Sequence, residues 1–479
     1  MKTGIAFADH IKTEKIKKRR FSYSDETDYK LRDFLLPLGI FFFLGILIFK
    51  LVSLQIINGS YYQLLSDKNR TRTNLIHAPR GIIFDRNGIP LVFNLPGFRE
   101  TKNGKTKVLT REEAMSLIAS GKTDLEVDSL RFYPKKDALS HVLGYTGQIT
   151  KEELSLEEFT NYNSGDLIGK SGIEKEYEKN LRGVDGKELI EVDALGKKVR
   201  TLGLTDPIPG QNITLTIDAN LQQAVFEALK DVKKSAVIVS SPKGEILSLV
   251  SKPSFDPNLF TMGEGYEATD AAYKNISSLL LDSENQPFLN RAISGAYPPG
   301  STFKLVTAAA GLENKVIDEN FTVEDNGVIN VGAFSFSNWY FTQYGRTEGA
   351  VNVVKAIKRS NDIFFYKLAE KVGVDKLAET ARKFGLGQKT GIDLGGEVSG
   401  LVPDPEWKKK TIGESWYLGD VYHYGIGQGY LLTTPLQVNM FTQAVANKGT
   451  LYKPQFLKNS KFEIRNSKLL SEKTFSLIR

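Results

Sequence analysis

Hydrophobic and polar positions along this chain fall into distinct textures. From Phe34 to Ile57 the residues FLLPLGIFFFLGILIFKLVSLQII form a nearly unbroken apolar run whose only charge is Lys50. Twenty-odd apolar residues cross a bilayer as a helix, and a lysine near the end of such a run can snorkel to the interface. A core helix of a soluble domain would carry a polar face, which this run lacks. From Asn58 to Gln211 the chain is polar and rich in short strand patterns, broken by turn signals such as Arg86-Asn87-Gly88 and Lys102-Asn103-Gly104. At Asn212 the texture changes. Ile213, Leu215 and Ile217 alternate with Thr214 and Thr216 as a strand, and Ala219-Asn220-Leu221-Gln222 opens an amphipathic helix. Ala236–Val239 and Ile246–Val250, joined by Pro242-Lys243-Gly244-Glu245, predict a hairpin. Helical patterns follow at Ser301–Glu313, Val351–Val372 and Val374–Phe384. The fold class predicted is α+β, with a helical cluster beside an antiparallel sheet.

Composition narrows the chemistry. The chain has 479 residues, enough for two or three domains, with a hydrophobic fraction of 41% and a charged fraction of 25%, as in folded soluble proteins. No cysteine is present, so disulfides, thiolate zinc sites and cysteine nucleophiles are excluded. The four histidines, His10, His77, His141 and His423, make histidine-rich metal sites and histidine-based triads poor candidates. The net charge of +7 is spread thinly, which argues against a nucleic-acid binder and suits an anionic surface such as a membrane or wall polymer. Lys15, Lys17, Lys18, Arg19, Arg20, Lys30 and Arg32 precede the apolar run, so the N-terminus is expected in the cytoplasm and the rest of the chain outside the membrane. The run is long and no small-x-small cleavage pattern follows it, so an uncleaved anchor is expected rather than a signal peptide.

The reactive candidate is a serine. Tyr297-Pro298-Pro299-Gly300 breaks any preceding element, and Ser301-Thr302-Phe303-Lys304 followed by Leu305–Ala310 favours a helix that starts at Ser301. Residues three apart share a helix face, so the Ser301 hydroxyl and the Lys304 amine can meet, beside the positive end of the helix dipole. Lysine takes a proton from serine only when neutral. Bringing its pKa from about 10.4 to about 7 disfavours the ammonium by roughly 4 kcal/mol, which burial supplies. Serine at this position also suits a simple N-cap, and Ser-x-x-Lys occurs by chance, as in Ser240-Ser241-Pro242-Lys243 on the hairpin turn. A second cluster, Arg359-Ser360-Asn361-Asp362, opens another helical segment. Its hydroxyl and carboxylate two positions apart can relay a proton and hold a substrate amide, and capping is again the plainer alternative.

Together these segments resemble a known family. Arg291-Ala292-Ile293-Ser294-Gly295 through Pro299-Gly300-Ser301-Thr302-Phe303-Lys304 looks like the first motif of penicillin-binding transpeptidases, and Ser360-Asn361-Asp362 looks like the second. Ala78-Pro79-Arg80-Gly81 through Asp85-Arg86-Asn87-Gly88, Gly172-Ile173-Glu174 and Leu181-Arg182-Gly183 are similar to the non-catalytic pedestal of the class B, transpeptidase-only members. Gly413-Glu414-Ser415-Trp416 and Gly425-Ile426-Gly427-Gln428-Gly429-Tyr430 resemble the elongation-type members.

The resemblance implies a cytoplasmic tail over 1–33, a transmembrane helix over 34–57, a pedestal of dimerisation type over 58–211 and a transpeptidase domain over 212–479. It implies a serine-type D,D-transpeptidase that cross-links peptidoglycan stem peptides during cell elongation and is inhibited by β-lactams, with no cofactor, metal or nucleic acid. Ser301 would be the nucleophile, Lys304 its base, Ser360 the proton shuttle and Asp362 the residue orienting both. Asn361, Gly427, Gln428 and Gly429 would contact substrate. The implied partners, besides stem peptides and the membrane, are a SEDS-type glycan polymerase and elongation-complex proteins. A non-catalytic membrane scaffold or β-lactam sensor of the same fold is the alternative. The family's third motif is Lys-Thr/Ser-Gly on a strand, and Lys389-Thr390-Gly391 has that form but lies in what is a surface segment of the family, so it reads as a decoy. The true motif is expected beyond Arg479, which reads the chain as truncated, inactive by itself, with a sheet edge left open.

Overall fold

The computed structural model describes residues 31–102, 105–121, 125–193, 197–263, 265–269 and 271–479. The basic residues before Leu31 and the Asn103-Gly104 turn lie outside them. The chain divides into two units, Met1–Arg72 with Ile190–Arg200 and Thr73–Leu189 with Thr201–Arg479.

In the first unit, a helix spans Leu31–Val52, continues through a π turn at Ser53–Ile57 and is followed by a helix at Gly59–Arg70. Over Phe34–Ile57 the mean hydropathy is 2.5 and none of the stretch is buried. Phe41 and Ile56 are about three-quarters exposed. Leaving so much apolar surface in water costs on the order of 25 cal/mol per Å². A lipid phase removes that cost, and the length suits a bilayer. Glu191 pairs with Arg70 and with Arg200, whose Nε lies 2.6 Å from Oε2.

The second unit holds the residues on both sides of Gln211, packed together. Strands Ile83–Phe84 and Pro90–Lys102 pair antiparallel, with Glu126–Phe132 along the longer one. Ile213–Thr214 adds in parallel at Ile83, so the strand predicted after Asn212 completes a sheet begun far earlier in the chain. The junction is fixed by Asp85, which is fully buried and accepts the N–H groups of Asn87, Ile89 and Ala219.

The predicted hairpin is present as antiparallel strands Ser235–Ser240 and Ile246–Lys252, with Val237 opposite Val250 and a bulge at Ser240. Gly244, at φ +93°, occupies the turn. Among the described residues these two strands pair only with each other. Helix Pro435–Ala446 packs on the first strand, and a groove of about 500 Å³ runs between Ala236–Ile238, Tyr297–Pro299 and Val438. The predicted helices form one cluster. Lys304–Glu313 lies at its centre against Asp362–Val372, Val374–Lys383 and Glu472–Ile478, and Leu418–Gly425 covers Asp362–Val372. Val306 and Ala308–Ala310 are fully buried, because a helix apolar on all sides is stable only when enclosed, and alanines let neighbours approach closely.

Val351–Val372 is not the single helix the pattern suggests. Strand Gly349–Asn352 leads into helix Val353–Arg359, the chain reverses at Ser360, and a second helix runs over Asp362–Val372. Asn352 and Asn361 each cap a helix through the side-chain oxygen, accepting from Lys355 and Phe364. The hydrophobic period carries through the break, while the helix start expected at Arg359-Ser360-Asn361-Asp362 is present, with Asn361 as its cap.

Candidate active site

Ser301 sits in a 3₁₀ turn, Gly300–Phe303, that runs directly into helix Lys304–Glu313. In 3₁₀ geometry side chains three apart eclipse, so Ser301 and Lys304 project from one edge. Ser301 is exposed, whereas Lys304 is only 2% exposed. The turn rests on Gly427: the Gly300 N–H donates to the Gly427 carbonyl at 2.8 Å. A Cβ on Gly427 would stand 2.2 Å from the Gly300 oxygen, so only glycine fits there.

Lys304 Nζ donates to Asp362 Oδ1 at 2.6 Å, to the Ser360 carbonyl at 2.8 Å and to Ser360 Oγ at 3.0 Å. Those three acceptors satisfy the three donors of an ammonium group. No hydrogen bond joins Nζ to Ser301 Oγ, so the predicted pair shares an edge while the amine points toward the second cluster. Phe365 closes the amine from the far side, its ring centroid 5.6 Å away. Burial pushes the Lys304 pKa below that of an ordinary lysine, and the Asp362 carboxylate opposes the shift. The amine is therefore easier to deprotonate than a solvated one, and it already has a carboxylate and a hydroxyl to exchange protons with.

Ser360 reaches Lys304 because its backbone is left-handed, at φ +51°. That conformation is costly for a residue with a side chain, and here it turns both the carbonyl and the hydroxyl toward the amine. Asp362 opens the next helix. Its Oδ2 accepts the Trp339 N–H at 3.0 Å, and its own N–H donates to Asn338 Oδ1 at 3.3 Å. Asp325, Asn338, Trp339 and Glu348 around it were not singled out from the sequence. Asn338-Trp339 does carry a helix-start pattern, but nothing local ties it to Asp362.

Two expectations change. Asn361, expected to contact substrate, is fully buried: its Oδ1 accepts from Phe364, and its Nδ2 donates to Asp325 Oδ2 at 2.8 Å and Glu348 Oε2 at 3.1 Å. Every polar atom of its side chain is committed inside the fold. Lys389-Thr390-Gly391, expected in a surface segment, folds partly inward. Thr390 is 2% exposed and gives its N–H and hydroxyl to Glu397, which also accepts the Gly391 N–H. The tripeptide lies in a loop and not on a strand. Gln428 and Gly429 are exposed, and the Gln428 N–H donates to the His423 carbonyl. Ser240, in the other Ser-x-x-Lys, bonds Asn439, and Lys243 lies over the Phe462 ring.

Comparison with known proteins places this arrangement in company. The family description "Penicillin binding protein transpeptidase domain" matches residues 234–477, and "Penicillin-binding Protein dimerisation domain" matches residues 112–215. The peptidoglycan D,D-transpeptidase MrdA of Acinetobacter baumannii is 35% identical, over 89% of this chain and 70% of that protein. A solved complex between penicillin-binding protein PBP2 and MreC from Helicobacter pylori superposes with a TM-score of 0.71 at 29% identity, covering 85% of this chain and 82% of the other. A peptidoglycan synthase complex that coordinates polymerization and crosslinking gives a TM-score of 0.68 at 28% identity, over 93% of this chain and 83% of the other.

Proposed function

Since the chain belongs to the penicillin-binding protein transpeptidase family, we propose that it is a peptidoglycan D,D-transpeptidase in which Ser301 is acylated and Lys304 is the base. The observation that carries this reading is the burial of Lys304 beneath an exposed Ser301, with Ser360 and Asp362 on its amine. Neutral Lys304 takes the Ser301 proton as Oγ attacks the penultimate D-alanyl carbonyl of a stem peptide. The tetrahedral intermediate collapses, the bond to the terminal D-alanine breaks, and a proton passed through Ser360 Oγ neutralises the leaving amine. An amine of a neighbouring stem peptide then resolves the acyl-enzyme into a cross-link. Asp362 keeps Lys304 and Ser360 in register. The Ser301 N–H, in the first turn where helices leave donors free, supplies one oxyanion contact. Such a donor typically contributes about 100- to 1000-fold in rate.

The apolar helix and its basic flank support an anchor with the N-terminus in the cytoplasm and the second unit outside. Gly427 reads as the support of the serine turn rather than as a substrate contact. A fluorescent penicillin should label the protein at Ser301, and Ser301→Ala should abolish labelling while Ser240→Ala changes nothing. Full labelling of Ser301→Ala rules out the assignment.

The partner proposed in the membrane is a SEDS-type glycan polymerase acting in elongation. The support is the anchor, the likeness to a synthase complex and the likeness to a relative solved with MreC. Photo-crosslinkers in the anchor and in Ala78–Gly88 should retrieve that polymerase from cells. Retrieval of division proteins alone would turn the reading to division.

A further inference from the structure

Asp325 carries a buried carboxylate that the acylation scheme does not use. It is 1% exposed and, among the described residues, has no ion-pair partner. Its charge is met instead by N–H donors. Oδ1 accepts from the Gly327 N–H at 2.7 Å, and Oδ2 accepts from Asn338 Nδ2 at 2.8 Å, Asn361 Nδ2 at 2.8 Å and the Glu348 N–H at 3.3 Å. A lone carboxylate is stable in such a place only when donors surround it.

The two asparagines it holds flank the start of the helix that carries Asp362. A side-chain amide has nearly the same shape either way round, so its neighbours decide which end is the acceptor. A carboxylate has only acceptors to offer, and it draws the NH₂ end of Asn338 and of Asn361 toward itself. The oxygen ends must then face away from Asp325. There, Asn338 Oδ1 accepts the Asp362 N–H and Asn361 Oδ1 accepts the Phe364 N–H. If either amide turned over, an NH₂ would face an N–H and the helix start would lose its tether.

We propose that Asp325 is a positioning residue for the acylation centre: by orienting the Asn338 and Asn361 amides it seats Asp362 and Ser360 against Lys304. The inference rests on the reading of Ser301 and Lys304 given above. Asp325 touches neither the substrate nor Lys304 and acts through the two asparagines. Glu348 supports Asn361 from a second side, so the Asn338 branch depends on Asp325 more heavily.

The test uses the full chain in detergent, labelled with [ζ-¹⁵N]lysine, with the Lys304 resonance assigned by its loss in Lys304→Arg. Asp325→Asn keeps the volume and places an NH₂ among the N–H donors. The Lys304 resonance and its titration midpoint should both move, and penicillin acylation should slow by up to about 100-fold, the scale of a misplaced catalytic group. Thermal melting confirms that the variant is folded. If it is not, Asn338→Ala serves for the same readings. An unchanged Lys304 resonance together with an unchanged pH profile of acylation overturns the proposal. Should the unsubstituted chain not label at Ser301, the acylation reading fails by itself, and the resonance still decides the role of Asp325.

Discussion

Lys304 is the residue on which the chemistry turns, and its environment sets a pH dependence whose sign follows from two opposed effects. Burial disfavours the ammonium and Asp362 favours it, with burial the larger, so the folded pKa lies below that of a solvated lysine. Acylation needs the neutral amine. Its rate should therefore rise with pH through a midpoint below the ordinary lysine value, as stopped-flow measurements with a fluorescent penicillin would show. Asp362→Asn removes the opposing carboxylate, so the midpoint should move lower still while the maximal rate falls, because the Lys304 amine loses the carboxylate that holds it beside Ser360. A midpoint that moved upward would mean that Asp362 does not face the ammonium in solution. The same shift bears on stability. A lysine whose folded pKa is depressed penalises the folded state below that pKa, and the penalty lifts as pH rises toward the unfolded value.

Elements bring these residues together through two close backbone approaches. The serine turn lies on the loop after Leu418–Gly425, and the absence of a Cβ at Gly427, φ +75°, makes that contact possible. Gly427→Ala should destabilise the protein by about 1–3 kcal/mol through overpacking and should slow labelling of Ser301, since the methyl group presses on the Gly300 carbonyl. Gly429 makes an internal comparison. It also has a positive φ, of +70°, but its added methyl would meet only His423 Cβ at 3.3 Å. Gly429→Ala should cost about 1–2 kcal/mol of backbone strain without pressing on the serine turn. Melting curves and labelling rates of the two variants, taken together, separate strain from displacement of the serine. The second is the turn at Ser360, where a left-handed residue lets two helices follow each other with only Ser360 and the capping Asn361 between them.

At the scale of the molecule, the segments on either side of Gln211 are joined by buried and half-buried polar contacts as well as by apolar packing. Asp85 ties the Arg86-Asn87-Gly88 turn to the start of helix Ala219–Ala228, and Tyr177 donates to Asp393 Oδ2 at 2.6 Å. Asp85→Ala leaves the buried Ala219 N–H and the half-buried N–H groups of Asn87 and Ile89 without an acceptor and should cost about 2 kcal/mol, read as a lower melting temperature. None of its bonds reaches the serine turn, so the folded fraction should still label at Ser301 at the normal rate. Equal melting temperatures would show that the Asp85 bonds do not hold the junction. Much of this architecture was legible in the sequence, because its causes are local. An unbroken apolar run marks the anchor, alternation around Pro-Lys-Gly-Glu marks the hairpin, and a Pro-Pro-Gly breaker before a helix-forming run marks the turn that carries Ser301. Proximity of Lys304 to Ser360 and Asp362 was expected only from a family resemblance, since nothing in their spacing brings them together. The tertiary structure decided that the Lys304 amine bonds Ser360 and Asp362 rather than Ser301, that Asn361 and Thr390 turn inward, that Gly427 is a support, and that Asp325 lies behind the site. Each of these depends on which distant group offers a donor, an acceptor or a close backbone. A side chain's own identity states what it can bond, and only the packed fold states what it meets.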